Sequence, residues 1–311
     1  MKRIIIWFLF FAFLSGCRTQ NGQLLELSEE NLNFIVISDL WCKGKSEQKN
    51  IAKIMGRLAE KSKIDFIAVA GDAMHDYGNA IKSVKDKEWD EKIEKVYTAS
   101  SLHNAPWYVI SGNHEYHGNV QAVTDYSEVS GRWNAPARYF TVTQKMKTNE
   151  NSCLFVFIDT TPLVSYYRKK YPEAGKQDVA AQIEWIETTL SSTSAKWKFV
   201  IGHHPVHAED KNHDETQIID MQTQVGVLLE KYEVDFYICG HTHNFQYINL
   251  KGVNYVVNSS ASSSRPVSEI EGMLFCNNDP GFTVFTISPD SVKFSFINHS
   301  GKTLYSQTVN K

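Results

Sequence analysis

Apolar and amphipathic segments alternate along most of the chain. Six apolar runs have the length of buried strands, and four segments between them carry apolar residues three and four positions apart, as amphipathic helices do. After residue 245, shorter alternating runs predict further strands. This order predicts an α/β fold in which βαβ units form a mostly parallel sheet and antiparallel strands are added later. The predicted strands span 33–39, 65–72, 106–113, 152–159, 196–204 and 234–241, and the predicted helices span 46–62, 86–100, 178–192 and 215–233.

Five of the predicted strands end in polar residues, most of them beside a glycine. Asp and Asn favour turns, and a His-x-His pair alone is more often exposed or hydrogen-bonded than bound to metal. Ligands of open α/β sheets bind beyond the carboxyl ends of the strands, and five such ends in one chain favour a metal site. Oxygen and imidazole donors suit zinc, iron or manganese. The residues at these ends are Asp39, Asp72, Asn113 with His114, His203 with His204, and His241 with His243.

Composition limits the class of protein. The chain has 311 residues, 42% of them hydrophobic and 22% charged, which is enough to bury one large core or at most two domains. Its net charge is -3, and the sequence contains no clustered Lys/Arg face. We therefore expect no role as a nucleic-acid scaffold. Nothing in the sequence fixes the oligomeric state.

The first residues have the pattern of an export signal. Lys2 and Arg3 precede an unbroken apolar run at 4–14, and small residues lie just before Cys17. The run is short for a membrane span, although a short membrane anchor helix is the alternative. The stretch before Cys17 resembles the lipobox of bacterial lipoproteins. It implies a signal peptide at 1–16, a lipidated Cys17 with a tether at 17–31, and export to the cell envelope, on its periplasmic or surface-facing side.

Five segments resemble, in order, the motif blocks of the calcineurin-like metallophosphoesterases. Among these proteins, the similarity is greatest to purple acid phosphatases of the small, tartrate-resistant type, and it covers roughly residues 33 to 309. The resemblance implies one catalytic domain at 32–311, built as a four-layer α/β/β/α sandwich of two mixed sheets flanked by helices. It also implies two metal ions between the strand ends. The segments are "SDLW", "GDAMH", "GNHEYHGNV", "VIGHHP" and "CGHTHNFQY".

The resemblance assigns the metal ligands residue by residue. Asp72 bridges the two ions, because a carboxylate can bind through both oxygens. The first ion takes Asp39, Asp72 and His243 as ligands, and the second takes Asp72, Asn113, His203 and His241.

The chain departs from the purple type at position 75. That family has a tyrosine there, whose bond to ferric iron gives the colour, whereas this chain has His75. We expect His75 to complete the ligands of the first ion; in the alternative, it turns away and water takes its place. Imidazole favours ferric iron less than phenolate does, so iron, manganese and zinc are all expected occupants.

The implied reaction is hydrolysis of phosphomonoesters by attack of metal-bound hydroxide. His114 matches the histidine of the family that contacts phosphate or assists the leaving group. A second histidine of this kind corresponds to His213, or failing that to His207. A small phosphorylated molecule is the expected substrate, and the lipid anchor would bind the membrane. The alternatives are a phosphodiesterase or nucleotidase on the same fold, and a lipoprotein that binds metal or phosphate without turnover.

Overall fold

The computed structural model describes residues 25–40, 46–74 and 80–311. Most of the predicted strands form within a residue or two of the predicted bounds, and their apolar side chains are buried. The strands are β1 (Leu32–Ile37), β2 (Phe66–Ala70), β3 (Trp107–Ile110), β4 (Trp133–Asn134), β5 (Phe140–Lys145), β6 (Ser152–Phe157), β7 (Trp197–Ile201), β8 (Phe236–Cys239), β9 (Phe245–Leu250), β10 (Val253–Val257), β11 (Met273–Asn277), β12 (Gly281–Ile287), β13 (Ser291–Asn298) and β14 (Thr303–Asn310).

The helices lie between these strands, and the longest are α1 and α7. Two π-helical segments, Asp90–Glu94 and Gln222–Gly226, continue α2 and join α8 to α9. The α-helices are α1 (Ser46–Lys61), α2 (Lys87–Trp89), α3 (Ser100–Asn104), α4 (Gln121–Asp125), α5 (Ser165–Lys170), α6 (Pro172–Gly175), α7 (Val179–Ser192), α8 (Thr216–Met221) and α9 (Val227–Lys231).

The strands form two seven-stranded mixed sheets. The first has the order β14-β13-β12-β1-β2-β3-β4, and the second has the order β11-β9-β10-β8-β7-β6-β5. The first sheet has a parallel core of β1, β2 and β3, and the second has a parallel core of β6, β7, β8 and β10. The carboxyl ends of the strands that carry the polar residues therefore belong to two sheets.

Alternating side chains of each strand face opposite layers. Phe34 and Phe66 of the first sheet stack at 4.7 Å, and both meet Phe155 of the second sheet edge-on. The neighbouring positions, such as Ile35 and Ile67, pack with the apolar face of α1 on the outside. On the outer side of the second sheet, α7 packs against the alternate residues of β6, β7 and β8. This confirms the four-layer α/β/β/α sandwich.

The mostly parallel sheet that the strand pattern indicated is divided between two sheets, as the resemblance implied. Two details of the secondary-structure prediction were wrong. β10, expected among antiparallel strands, pairs in parallel with β8. The predicted helix 86–100 stops near residue 94, and α3 is a separate helix. Between them, the carbonyl of the buried Tyr97 accepts a hydrogen bond from Arg132 Nη1 at 2.8 Å instead of one from a helical backbone N–H.

The predicted signal peptide and Cys17 lie outside the described residues. Within 25–40, 46–74 and 80–311, no helix has the length and apolar character needed to cross a membrane.

Candidate metal centre

Polar residues from both sheets converge where their parallel strands end. Asp39 follows β1, Asp72 follows β2 and Asn113 follows β3, whereas His203 follows β7. His241 and His243 follow β8. Oxygen and nitrogen atoms of Asp39, Asp72 and His203 lie within 4.8 Å of one another, so ligands from the two sheets meet.

The backbone turns sharply at four of these residues. Asp39, Asp72, His241 and His243 have φ angles of 53°, 51°, 74° and 58°. This left-handed conformation is uncommon outside glycine and costs on the order of 1–3 kcal/mol per residue. It ends each strand abruptly and turns the side chain toward the other sheet. Strain of this kind, concentrated at four converging residues, is typical of a functional site.

Asp39 and His243 form one side of the centre. Asp39 Oδ1 lies 3.1 Å from His243 Nε2, and Asp39 Oδ2 accepts a hydrogen bond from the backbone N–H of His241. Burial alone would raise the pKa of Asp39, but the His243 imidazole outweighs it and lowers that pKa to about 2. Asp39 is therefore a carboxylate at neutral pH, ready to bind a cation.

On the second side of the centre, four acceptor atoms lie close together. His203 Nε2 lies 3.2 Å from Asp72 Oδ2, from Asn113 Oδ1 and from His241 Nδ1. The other nitrogen of His203 donates to the carbonyl of Ala70, and His241 Nε2 faces Gln217 Oε1 at 3.1 Å. In the neutral rings, both facing nitrogens therefore carry lone pairs. Lone pairs and a carboxylate at 3.2 Å repel each other unless a cation lies between them.

These donor sets fit two metal ions. Without a metal, a proton takes the cation's place: burial alone would lower the pKa of His203, but Asp72 raises it to about 9. Carboxylate, amide and imidazole donors, with no thiolate among them, suit zinc, manganese or iron. Gln217, Ala70 and Ser263, which bonds His243 Nδ1 at 3.1 Å, hold the rings in place from behind.

The segment after β10 also belongs to the centre, and sequence reasoning missed it. Ser260 and Ser262 donate to the carbonyl of Asp39 at 2.9 and 3.1 Å, and the backbone N–H of Arg265 donates to the carbonyl of His243. The signal was present, because "NSSASSSR" follows an apolar strand just as the ligand segments do. The strand-end rule applies to parallel strands, whereas the alternation after residue 245 predicts antiparallel ones.

Glu115 is a second residue that sequence reasoning missed. Its carboxylate accepts hydrogen bonds from the backbone N–H groups of Gly112, Asp72 and Met74, at 2.6, 3.1 and 2.7 Å. Burial, with Asp72 nearby, raises the pKa of Glu115 to about 7. Glu115 thus ties the loop that carries Asp72 to the loop that carries Asn113.

The three histidines predicted to act outside the metals differ in position. His114 Nε2 lies 3.8 Å from Asp72 Oδ2, with the side chain 18% exposed. The ring of His213 stacks on that of His241 with centroids 4.0 Å apart, and its Nδ1 donates to Asp210 at 2.8 Å. His207 instead packs against Tyr255 and contacts Gln222. The geometry therefore brings His114 and His213 to the centre, but not His207.

His204, to which the sequence assigned no role, is fully buried beside the rings of His203 and His241. Thr160 Oγ1 accepts from the backbone N–H groups of His203 and His204, so its own hydrogen points to His204 Nδ1 at 2.7 Å. This leaves the proton of the neutral ring on Nε2, which has no hydrogen-bond partner among the described residues. Burial lowers the pKa of His204 well below its usual range. Ligand atoms of His204, His203 and His241 nevertheless lie within 4.8 Å of one another. His75, the predicted additional ligand, lies outside the described residues.

A family model and curated relatives match this chain. The model for calcineurin-like phosphoesterases matches residues 32–245. The chain is 31% identical to tartrate-resistant acid phosphatase type 5 of Oryctolagus cuniculus, over 84% of this chain and 83% of the relative. It is 30% identical to purple acid phosphatase 7 of Arabidopsis thaliana, over 99% of this chain and 96% of the relative.

Solved structures share the fold. The structure described as GAP50, the anchor in the inner membrane complex of Plasmodium, superposes with a TM-score of 0.76. The match covers 90% of this chain and 89% of that one at 22% identity, so it bears on the fold alone.

Replacing Gly112 by alanine should weaken metal binding. A Cβ at this position would lie 2.2 Å from Asp72 Oδ1 and 2.6 Å from the backbone nitrogen of Asp72, so the carboxylate must move. Gly131→Ala is the matched control, because a Cβ there meets nothing within 4 Å. We expect metal content after dialysis, measured by plasma mass spectrometry, to fall in Gly112→Ala and to stay at the wild-type level in Gly131→Ala. Equal metal content in both variants would contradict this geometry.

Proposed function

The chain belongs to the calcineurin-like phosphoesterase family, and we propose that it is a dinuclear-metal phosphatase that hydrolyses phosphomonoesters. The observation that carries the proposal is the convergence on His203 Nε2 of a carboxylate oxygen, an amide oxygen and a second imidazole nitrogen, a donor set suited to a metal ion. Monoesters are favoured over diesters because the curated relatives are acid phosphatases with matches along most of this chain.

The proposed ligands divide between the two sides of the centre. Asp39 and His243, together with His75, would hold the first ion, and Asn113, His203 and His241 would hold the second. Asp72 would bind both. When bound, the two ions supply positive charge that polarises the phosphoryl group and makes water acidic enough to act as a nucleophile near neutral pH.

His114 and His213 are the proposed groups for phosphate contact and proton donation. Both rings lie at the edge of the centre, with side chains 18% and 19% exposed, so a substrate can reach them. Asp210 accepts the Nδ1 proton of His213 and fixes the direction of Nε2. This arrangement leaves a lone pair on Nε2, which would first take up a proton and then pass it to the leaving-group oxygen. His213 is therefore preferred to His207, whose described contacts are not with ligands.

We also propose that residues 1–16 are a lipoprotein signal, that Cys17 is the lipidated first residue of the mature protein, and that 32–311 form the catalytic domain. The support is the sequence pattern of the first residues. The enzyme would then act at the cell envelope, with 17–31 as its tether.

Substitution of the bridging carboxylate should affect both metals. Asp72→Ala is expected to lose two ions, and Asn113→Ala one, because Asn113 is proposed to touch only the second ion. Metal content and hydrolysis of an aryl phosphate should be measured together, with metal added back. The matching diaryl phosphate tests for diesterase activity. One ion or none in metal-replete wild type would contradict the dinuclear site, and faster diester cleavage would contradict the monoesterase.

Iron-loaded wild-type protein should lack the visible band of a ferric phenolate, because position 75 is histidine. His75→Tyr should introduce that band, which absorption spectroscopy detects. Tyr167 serves as the control, since its ring lies 6.4 Å from that of His241, and burial, with Asp72 nearby, raises its pKa. A wild-type band that disappears in Tyr167→Phe would show that this tyrosine is a ligand and that the assignment of His75 is wrong.

Lipidation predicts where the protein partitions. The wild type should fractionate with membranes, since lipoprotein modification supplies more than one acyl chain. Cys17→Ser should release the protein or stop its processing, and Cys276→Ser, which changes a cysteine far along the chain, should not. Soluble wild-type protein with an unmodified amino terminus would refute the anchor.

A further inference from the structure

Arg265 lies at the edge of the proposed active site without a carboxylate partner. Its backbone N–H donates to the carbonyl of the ligand His243, at 2.9 Å. Its Nη1 donates to the carbonyl of His241 at 3.3 Å and to His213 Nε2 at 3.2 Å. The guanidinium is thus held beside the carbonyl of His241 and beside the ring of the proposed proton donor, His213.

Arg132 and Arg138 lie beside carboxylates, Glu94 at 2.8 Å and Asp159 at 4.0 Å. Asp210 bonds the far nitrogen of the His213 ring. Arg265 has no ion pair among the described residues, although it is partly buried. A cation withdrawn from water without a counter-charge is costly, so this position favours an anion.

The guanidinium also has unused donors. A guanidinium carries five N–H groups in a planar fork, and both side-chain contacts of Arg265 come from Nη1. Nε and Nη2 have no hydrogen-bond partner among the described residues. Such a fork matches two oxygens of a carboxylate or a phosphate.

The position of Arg265 relative to His213 indicates which part of a substrate it meets. Hydrolysis breaks the P–O bond, and the leaving-group oxygen keeps the bonding electrons. Water supplies both the oxygen added to phosphorus and the proton that the leaving group takes. If His213 Nε2 takes that proton from water and delivers it, the hydrogen bond from Arg265 Nη1 must give way during the transfer. Arg265, which is 3.2 Å from the same atom, then lies on the leaving-group side.

We infer that Arg265 forms an anion subsite on the leaving-group side, and that preferred substrates carry a second anionic group, a carboxylate or another phosphate, close to the scissile bond. This inference rests on the proposed function. The fork binds the second group bidentately, whereas the phosphoryl group under attack remains at the metal centre. A neutral leaving group gains nothing from this subsite.

Matched probes test the carboxylate arm. Glycerol 3-phosphate and 3-phosphoglycerate differ in whether the leaving group carries a hydroxymethyl or a carboxylate. In the wild type we expect a higher kcat/KM for 3-phosphoglycerate. Arg265→Gln should reduce that preference, the ratio of the two kcat/KM values, about 10- to 100-fold, the effect of a lost charge-assisted hydrogen bond. Arg265→Lys keeps the charge but not the planar fork. Its preference for 3-phosphoglycerate should lie between those of the wild type and Arg265→Gln.

Binding of inert anions tests the phosphate arm without turnover. Calorimetry should show methylenediphosphonate losing affinity in Arg265→Gln, whereas methylphosphonate keeps its affinity. Lys211→Gln is the control, because Lys211 is 75% exposed and already pairs with Glu209 at 3.1 Å. It should change neither probe. If Arg265→Gln weakens only the preference for 3-phosphoglycerate, the subsite binds a carboxylate. If it weakens only the binding of methylenediphosphonate, the subsite binds a phosphate.

Equal losses for both members of each pair would overturn the inference, because Arg265 would then act only by positioning His213 or by contacting the phosphoryl group under attack. No preference for the doubly anionic probes in the wild type would overturn it as well. Failure of the proposed function looks different, since the wild type would then hydrolyse neither glycerol 3-phosphate nor an aryl phosphate.

Discussion

The burial of two carboxylates, Asp39 and Asp72, is the constraint on which the structure of the centre depends. Both are at most 1% exposed, and an ionised carboxylate removed from water costs several kcal/mol unless opposite charge and hydrogen bonds replace the solvent. Backbone N–H groups of His114 and His241 supply part of that replacement, at 2.8 and 3.1 Å. The imidazoles supply lone pairs and not positive charge while they are neutral. The remaining deficit is positive charge between the side chains, which is what metal ions provide.

Strained backbone holds these charges in place, and the sheets hold the strained backbone. The N–H of Asp39 bonds to the carbonyl of Gly71, that of Leu40 to the carbonyl of Asp72, and that of Gly240 to the carbonyl of His203. A further bond, from Ala261 to Ser38, links the segment after β10 to the end of β1. These hydrogen bonds join one turn to the next, so relaxation of one turn would break its bonds to the neighbouring turns. The left-handed residues therefore persist as a group.

The sequence predicts the metal centre better than its surroundings, and the reason is physical. Asp39, Asp72 and His203 each follow an apolar run, and the geometry of parallel strands brings such ends to one edge. Division of the strands between two sheets depends on packing between distant segments such as Phe34 and Phe155, which no local pattern contains. Gln217 reaches His241 from the first turn of α8, where a polar residue looks like any other exposed position. Ser260 and Arg265 also follow a parallel strand, β10. The strand-end rule would predict them only if the parallel pairing of β10 with β8 were known.

The proposed metal ligands and the side chains that would contact the leaving group come from different parts of the fold. Within the described residues, the proposed ligands follow strands of the two sheets. The side chains around them, including His213, Arg265 and Tyr167, come from loops and short helices joined to the sheets by a few contacts. His213 has ligand contact on one face only, the ring of His241, and polar partners at both nitrogens. Arg265 also bonds the carbonyls of His241 and His243, so a change there would act on the leaving group and on the ligands together. On the proposed assignments, the charge buried between the sheets would set reactivity, and the charged groups at the rim would set which leaving group is accepted.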